Sequence, residues 1–183
     1  MHKYFHLDDY DKSLIKICRR EPNKLGYALQ LTTVRFIGTF LANPIDVPEA
    51  VKIYLASQLD IIKPTILDKY LERKVTKHEH VNSIKIHYGY SDLDSLGLLK
   101  LNRWLYVQCW YGVERPSILF DRVVSWLIER KFLLPGITTL TRLISRIRIR
   151  CDLRLWKMLS QLPTEEQVTS LTALLIPVKK NGY

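Results

Sequence analysis

TLTRLISRIRIRCDLRLWKML, residues 139–159, is the stretch on which the fold turns. Within it Leu140, Leu143, Ile144, Ile147, Cys151 and Met158 recur at intervals of three and four, the spacing of one face of an α-helix. Arg142, Arg146, Arg150 and Arg154 recur every four residues and form a slowly twisting stripe on the adjoining face. The segment therefore reads as one long helix anchored by its apolar side. Pro135-Gly136, just before it, is the clearest break in the second half of the sequence.

The same helical spacing continues outward in both directions. Downstream, Thr164 with Gln167 forms a capping box for a terminal helix. Upstream, Pro116 opens a helix with Leu119, Val123, Trp126 and Leu127 inward. Ser91 with Asp94 resembles a capping box at the start of a long helix through Leu98, Leu101, Leu105 and Val107, closed by Gly112. In the first half, Asp8 caps a short helix through Leu14, Ile15 and Cys18, and the turn Glu21-Pro22-Asn23 ends it. A second helix carries Leu25, Ala28, Leu29, Leu31, Thr32 and Phe36 on a broad buried face and stops at Gly38. After the Asn43-Pro44 turn, Pro48 starts a third helix that buries Val51, Tyr54, Leu55 and Leu59. Pro64 separates it from a short fourth helix over about 66–73, and Thr76 caps a fifth that ends near Gly89. The expected fold class is all-α, a compact multi-helix domain. The break from Gly89 to Ser91 divides it into two small helical subdomains, 1–89 and 90–183.

Composition narrows the function. With 183 residues and 47% hydrophobic side chains, the chain can fill a core and is not a disordered one. Its 28 Lys and Arg against 18 Asp and Glu leave a formal charge of +10, which favours a polyanionic partner but fits a basic soluble protein equally well. Three widely spaced cysteines, Cys18, Cys109 and Cys151, give neither a disulfide framework nor a zinc ribbon, and reduced thiols in a cytoplasmic protein are expected. The N-terminus lacks the apolar core of a signal peptide, and no apolar run approaches the ~18 residues of a membrane span.

Two basic surfaces stand out. The arginine stripe repels itself by a few tenths of a kcal/mol per pair, and nucleic-acid phosphate facing it would offset that cost. A solvated face, or pairing with acidic groups of neighbouring helices, would also accommodate it. The second surface comprises Lys63, Lys69, Arg73, Lys74, Lys77 and Lys85. Residues 48–73 read as helix, tight turn, helix, compatible with a helix-turn-helix whose second helix presents Thr65, Asp68, Lys69, Glu72 and Arg73 to a groove.

Catalytic readings find less support. His78 and His80 lie two apart and would point in different directions on a helix, and His87 has no Cys or carboxylate at ligand spacing. Asp8, Asp9 and Asp11 belong to a helix start, and Asp92 and Asp94 to a cap. There is no P-loop and no GxGxxG. Trp104, Trp110 and Trp126 fall at core positions, leaving Tyr88 and Tyr90 as modest candidates for base stacking.

A resemblance emerges from several short runs in order. Asn23-Lys24-Leu25-Gly26-Tyr27-Ala28-Leu29-Gln30-Leu31 is followed by Arg35-Phe36-Ile37-Gly38, Val47-Pro48, Tyr54-Leu55-Ala56 and Gln58-Leu59. Then come Tyr70, Arg73, Thr76, His80, Gly89-Tyr90, Arg115-Pro116-Ser117, Leu119-Phe120, Trp126-Leu127, Pro135-Gly136, Leu140 and Arg142-Leu143. Together they resemble the opening of class II replicative transposases, the Tn-three family. The resemblance implies the front of a much longer bacterial transposase whose N-terminal portion recognises the terminal inverted repeats of the transposon. It also implies that a metal-dependent acidic triad in a distant RNase H-like domain performs strand cleavage and transfer, so that this chain carries no catalytic residue, cofactor or small-molecule substrate. Expected partners are double-stranded DNA at transposon ends, the remainder of the transposase and a second copy in a homodimer, with a cytoplasmic, nucleoid-associated location.

Two departures accompany the likeness. Members of that family usually begin with a further short segment, which a truncated piece would lack. They are also richer in Arg where this chain has Ile147 and Ile149. The signature is largely structural, so base-contacting residues do not carry over from it. The DNA-contacting residues expected from the charge pattern are Lys69, Arg73, Lys74, Lys77, Lys85, Arg142, Arg146, Arg150 and Arg154. A protein-interaction or dimerisation module without direct DNA contact is the competing expectation.

Overall fold

The computed structural model describes residues 2–43, 46–70, 74–112 and 114–175. Among these the chain is helical, and the only strand-like feature is a single parallel bridge between Ser91 and Phe132. The elements are α1 (His2–Phe5), α2 (Asp9–Lys16), α3 (Glu21–Ile37), α4 (Glu49–Gln58), a 3₁₀ helix (Pro64–Tyr70), α5 (Lys74–Tyr88), α6 (Ser95–Tyr111), α7 (Pro116–Glu129), α8 (Ile137–Leu159) and α9 (Glu165–Leu174). The all-α fold class expected from the sequence holds.

Local signals account for most boundaries. Asp8 caps α2 through a reciprocal box: its Oδ1 accepts from the Asp11 amide at 2.7 Å, and Asp11 Oδ2 accepts from the Asp8 amide at 3.1 Å. Gly38 ends α3 in the left-handed region at φ 74°. Thr164 and Gln167 box the start of α9. Pro116 sits in the first turn of α7, where its missing amide hydrogen costs nothing.

Several expectations shift. Glu21-Pro22-Asn23 is the first turn of α3 instead of a stop after α2, because proline is well tolerated there. Asp94, and not Ser91, caps α6, its Oδ1 accepting from the Gly97 amide at 2.7 Å. Ser91 is occupied elsewhere: its amide donates to Lys131 O at 3.0 Å and its carbonyl accepts from the Leu133 amide at 2.8 Å. α5 begins at Lys74, which puts Thr76 inside it and not at its cap, and Phe36, near the end of α3, is 51% exposed instead of buried. A further shift concerns the helix expected over 66–73. A 3₁₀ helix ends at Tyr70 instead, and residues 71–73 lie outside the described residues. Three residues per turn brings Leu67 and Tyr70 to one face, and both are buried against α3.

Buried side chains gather in two clusters. The first surrounds α3, whose residues from Leu25 to Val34 are all buried beneath α1, α2, α4, the 3₁₀ helix and α5. The second lies among α6, α7 and α8 and includes Leu101, Leu105, Val123, Leu127, Ile144 and Ile147. Each fully buried aliphatic side chain contributes about 1.5–3 kcal/mol relative to exposure. Trp126 is in this core with the Arg130 guanidinium 4.3 Å from its ring, whereas Trp104 and Trp110 are half-buried. No residue of α9 is buried. No helix is long and apolar enough to cross a membrane among the described residues.

Candidate nucleic-acid interface

The rotation of α8 is set by what it buries. Leu140, Ile144, Ile147 and Cys151 face α6 and α7, which leaves Arg142, Arg146, Arg150 and Arg154 exposed together. Among the described residues none of the four forms an ion pair or hydrogen bond. Successive guanidinium-bearing positions rise by about 6 Å along the axis, and the whole stripe by about 18 Å. That length matches about five base-pair steps of one duplex strand. Arg142 and Arg146 border a cleft of about 420 Å³ with Leu93, Leu98, Pro135 and Leu143. Arg154 borders a smaller one of about 300 Å³ with Tyr106, Trp110, Tyr111 and Met158.

The second basic surface is less uniform than its sequence suggests. Lys69 is exposed on the 3₁₀ helix. Lys85 pairs with Asp92 at 2.7 Å, and Lys77 donates to the Ala42 carbonyl, so both start from an internal partner. Arg73 and the side chain of Lys74 lie outside the described residues. The 3₁₀ helix that replaces the second helix of the expected helix-turn-helix is held down by Leu67 and Tyr70, while Thr65, Asp68 and Lys69 face solvent. Arg19 and Arg20, which the sequence reading passed over, border the same cleft as Lys69. Their remoteness in sequence hid the proximity.

Polar groups inside the first cluster serve the fold. Asp11 is fully buried and receives two bonds from Arg35, at 2.6 and 2.9 Å, and one from the Tyr88 hydroxyl at 2.5 Å. Burial pushes the Asp11 carboxyl up, but the Arg35 and Tyr88 hydrogen bonds and the guanidinium charge outweigh it, so the net shift is downward. His80 is buried between Tyr70, whose hydroxyl lies 3.0 Å from Nδ1, and Cys18, whose sulfur lies 3.6 Å from Nε2. Burial pushes the imidazole down to about 4, which keeps it neutral near pH 7. Tyr88 and Tyr90 pack against the first cluster and are not free stacking platforms. Tyr111, 85% exposed, and Trp156, 67% exposed, are aromatic rings that the sequence does not single out. No group of three or more His, Cys, Asp or Glu is placed to hold a metal ion among the described residues.

Comparison with known proteins places this architecture. A family model described as "Domain of unknown function (DUF4158)" matches residues 1–147. The "Transposase for transposon gamma-delta" of Escherichia coli (strain K12) is 46% identical over 175 residues, which is 95% of this chain and 18% of that protein. The "Transposase for transposon Tn501" of Pseudomonas aeruginosa is 27% identical over 180 residues, 94% of this chain and 17% of that protein. The "Transposase for transposon Tn1546" of Enterococcus faecium is 26% identical over 172 residues, again 94% and 17%. The chain thus spans less than a fifth of the length of these curated relatives. The likeness to Tn-three family transposases holds along nearly the whole sequence, and the chain belongs to the family described as Domain of unknown function (DUF4158).

Proposed function

We propose that this chain is the DNA-binding region of a transposase, recognising the terminal inverted repeats of its transposon, with strand chemistry performed by other parts of the protein. The observation that carries the reading is the α8 stripe: four exposed arginines, unpaired among the described residues, spaced four apart and turning slowly around the helix by about 40° per step. A regularly spaced, slowly turning row of cations on one helix suits a regular row of phosphates, which supplies affinity and register. Sequence readout would come from side chains reaching base edges in a groove. A division into 1–89 and 90–183 is part of this reading, supported by the two separate clusters of buried residues.

The test is affinity against salt for a duplex carrying the inverted-repeat end and for a scrambled duplex. Steeply salt-dependent binding of both, with the inverted repeat bound tighter at every salt, is the expected outcome. Equal affinities throughout would remove the sequence-specific part.

A second reading has its own support. The last three turns of α8, the connection after it and all of α9 leave Ile149, Leu153, Trp156, Leu162, Val168 and Leu171 exposed. Trp156 is 67% exposed, unusual for an indole in a finished surface. These residues suit docking onto the remainder of a transposase or onto a second copy. Abundant dimer in solution, with no duplex binding, would favour that reading over the first.

A further inference from the structure

Apart from α8, one surface gathers cationic and polar side chains from four parts of the chain. The connection between α2 and α3 supplies Arg19 and Arg20, the first turn of α3 supplies Asn23, the 3₁₀ helix supplies Lys69 and Tyr70, and α5 supplies Thr76. Together they line a largely polar cleft of about 360 Å³. Arg19, Arg20 and Lys69 are exposed, and none of them is in an ion pair with a carboxylate among the described residues. Three cations turned toward one concavity repel one another, and an anion seated among them would relieve that repulsion.

The floor of this cleft is rigid. Tyr70 is 1% exposed, and its hydroxyl is tied to His80 at 3.0 Å. The ring lies so close to Gly26 that a Cβ added there would sit 2.6 Å from it. Tyr70 thus gives the cleft a packed base, with Arg19, Arg20 and Lys69 around its mouth. Arginine fits the job of gripping phosphate oxygens because its planar fork can donate two parallel hydrogen bonds. The Thr76 hydroxyl and Asn23 amide add neutral donors beside them.

We infer that the Arg19–Arg20–Lys69 cleft is a second phosphate-binding site, which receives one phosphodiester of the DNA duplex at a point separate from the α8 stripe. The inference rests on the DNA-binding reading above and adds a specific anchor on the first cluster. With one anchor on each cluster, the duplex is held at two places on the molecule, and its register is fixed better than by either surface alone.

The test uses the full 183-residue chain with Arg19→Gln, Arg20→Gln and Lys69→Gln combined. A control removes three exposed charges elsewhere, Lys16→Gln, Lys100→Gln and Arg103→Gln. All six side chains are exposed, and matching circular dichroism and melting curves verify that each variant is folded. Duplex affinity is measured across salt for both variants and the parent. The cleft variant is expected to bind roughly tenfold more weakly and to lower the slope of log affinity against log salt by about one, with a smaller change in the control. A parent that binds duplex while the cleft variant matches the control would overturn the second site and leave the DNA reading standing. A parent that binds no duplex would overturn both. Inorganic phosphate, titrated while the Arg19 and Arg20 side-chain NMR signals are followed, separates the two sources of the anion. Saturation at submillimolar phosphate, with an unchanged duplex slope in the variant, would mark a free-anion site and contradict the phosphodiester assignment.

Discussion

α3 and α8 are long helices, one in each of the two clusters, and they are used in opposite ways. In α3 ten consecutive residues from Leu25 to Val34 are buried, on every side of the helix. In α8 only Leu140, Ile144, Ile147 and Cys151 are buried, and the remaining faces meet solvent. α3 is enclosed by elements packed around it, so its sequence can afford Thr32 and Gln30 only because each finds a partner. The Thr32 hydroxyl donates to Ala28 O at 2.8 Å, and the Gln30 amide is paired with the Leu41 backbone in both directions. α8 has one packed face and is free to spend the rest on charge. The lesson is a division of labour: the first cluster is built around a helix whose central ten residues hold it together, and the second presents a helix outward.

That contrast can be broken or sharpened by substitution. Leu29→Ala removes a fully buried side chain from α3 and is expected to cost about 2–5 kcal/mol, read by chemical denaturation. The matched change on α8, Leu153→Ala, removes a side chain that is 65% exposed and is expected to stay within about 0.5 kcal/mol. Equal losses at the two positions would mean that the exposed half of α8 is covered in solution.

A smaller effect concerns the contact between α3 and the 3₁₀ helix. Gly26→Ala raises intrinsic helix propensity by about 1 kcal/mol. It also drives a methyl group into the Tyr70 ring, an overpacking cost of about 1–3 kcal/mol. Net destabilisation is the expected result in thermal melts. A stabilised variant would show that Tyr70 moves aside freely, and with it the rigid floor of the basic cleft.

The first cluster also carries a pH response. His80 is held neutral by burial, with its pKa pushed down to about 4 in the fold. Above its ordinary value neither state takes the proton. As pH falls from about 6.5 toward 4 the unfolded chain gains a proton that the folded one refuses, so stability is lost across that window by at most about 3 kcal/mol. Asp11, held below its usual value, contributes stability that is lost at lower pH still. His80→Gln should flatten the stability profile between pH 6.5 and 4, and a profile unchanged by that substitution would assign the loss to other groups.

How far the sequence revealed this depended on whether a feature was local. The caps at Asp8, Gly38 and Thr164 and the stripe on α8 are written in residues three or four apart, and each is found where the spacing puts it. The 3₁₀ helix was not legible, because Leu67 and Tyr70 take that geometry to meet α3 across the notch left by Gly26. The partner of Lys85 was also out of reach: Asp92 looked like part of a cap, and only the turn after α5 brings it to 2.7 Å. Arg19 and Arg20 stayed unnoticed for the same reason, since Lys69 joins them through tertiary packing alone.

The most direct measurement is the salt dependence of duplex binding by Arg146→Ala, Arg150→Ala compared with the parent chain. Both side chains are exposed and unpaired among the described residues, so the fold should be unaffected. A slope of log affinity against log salt that is shallower by about two is the outcome expected if each arginine meets one phosphate. An unchanged slope, with duplex still bound, would show that the α8 stripe does not lie on the DNA.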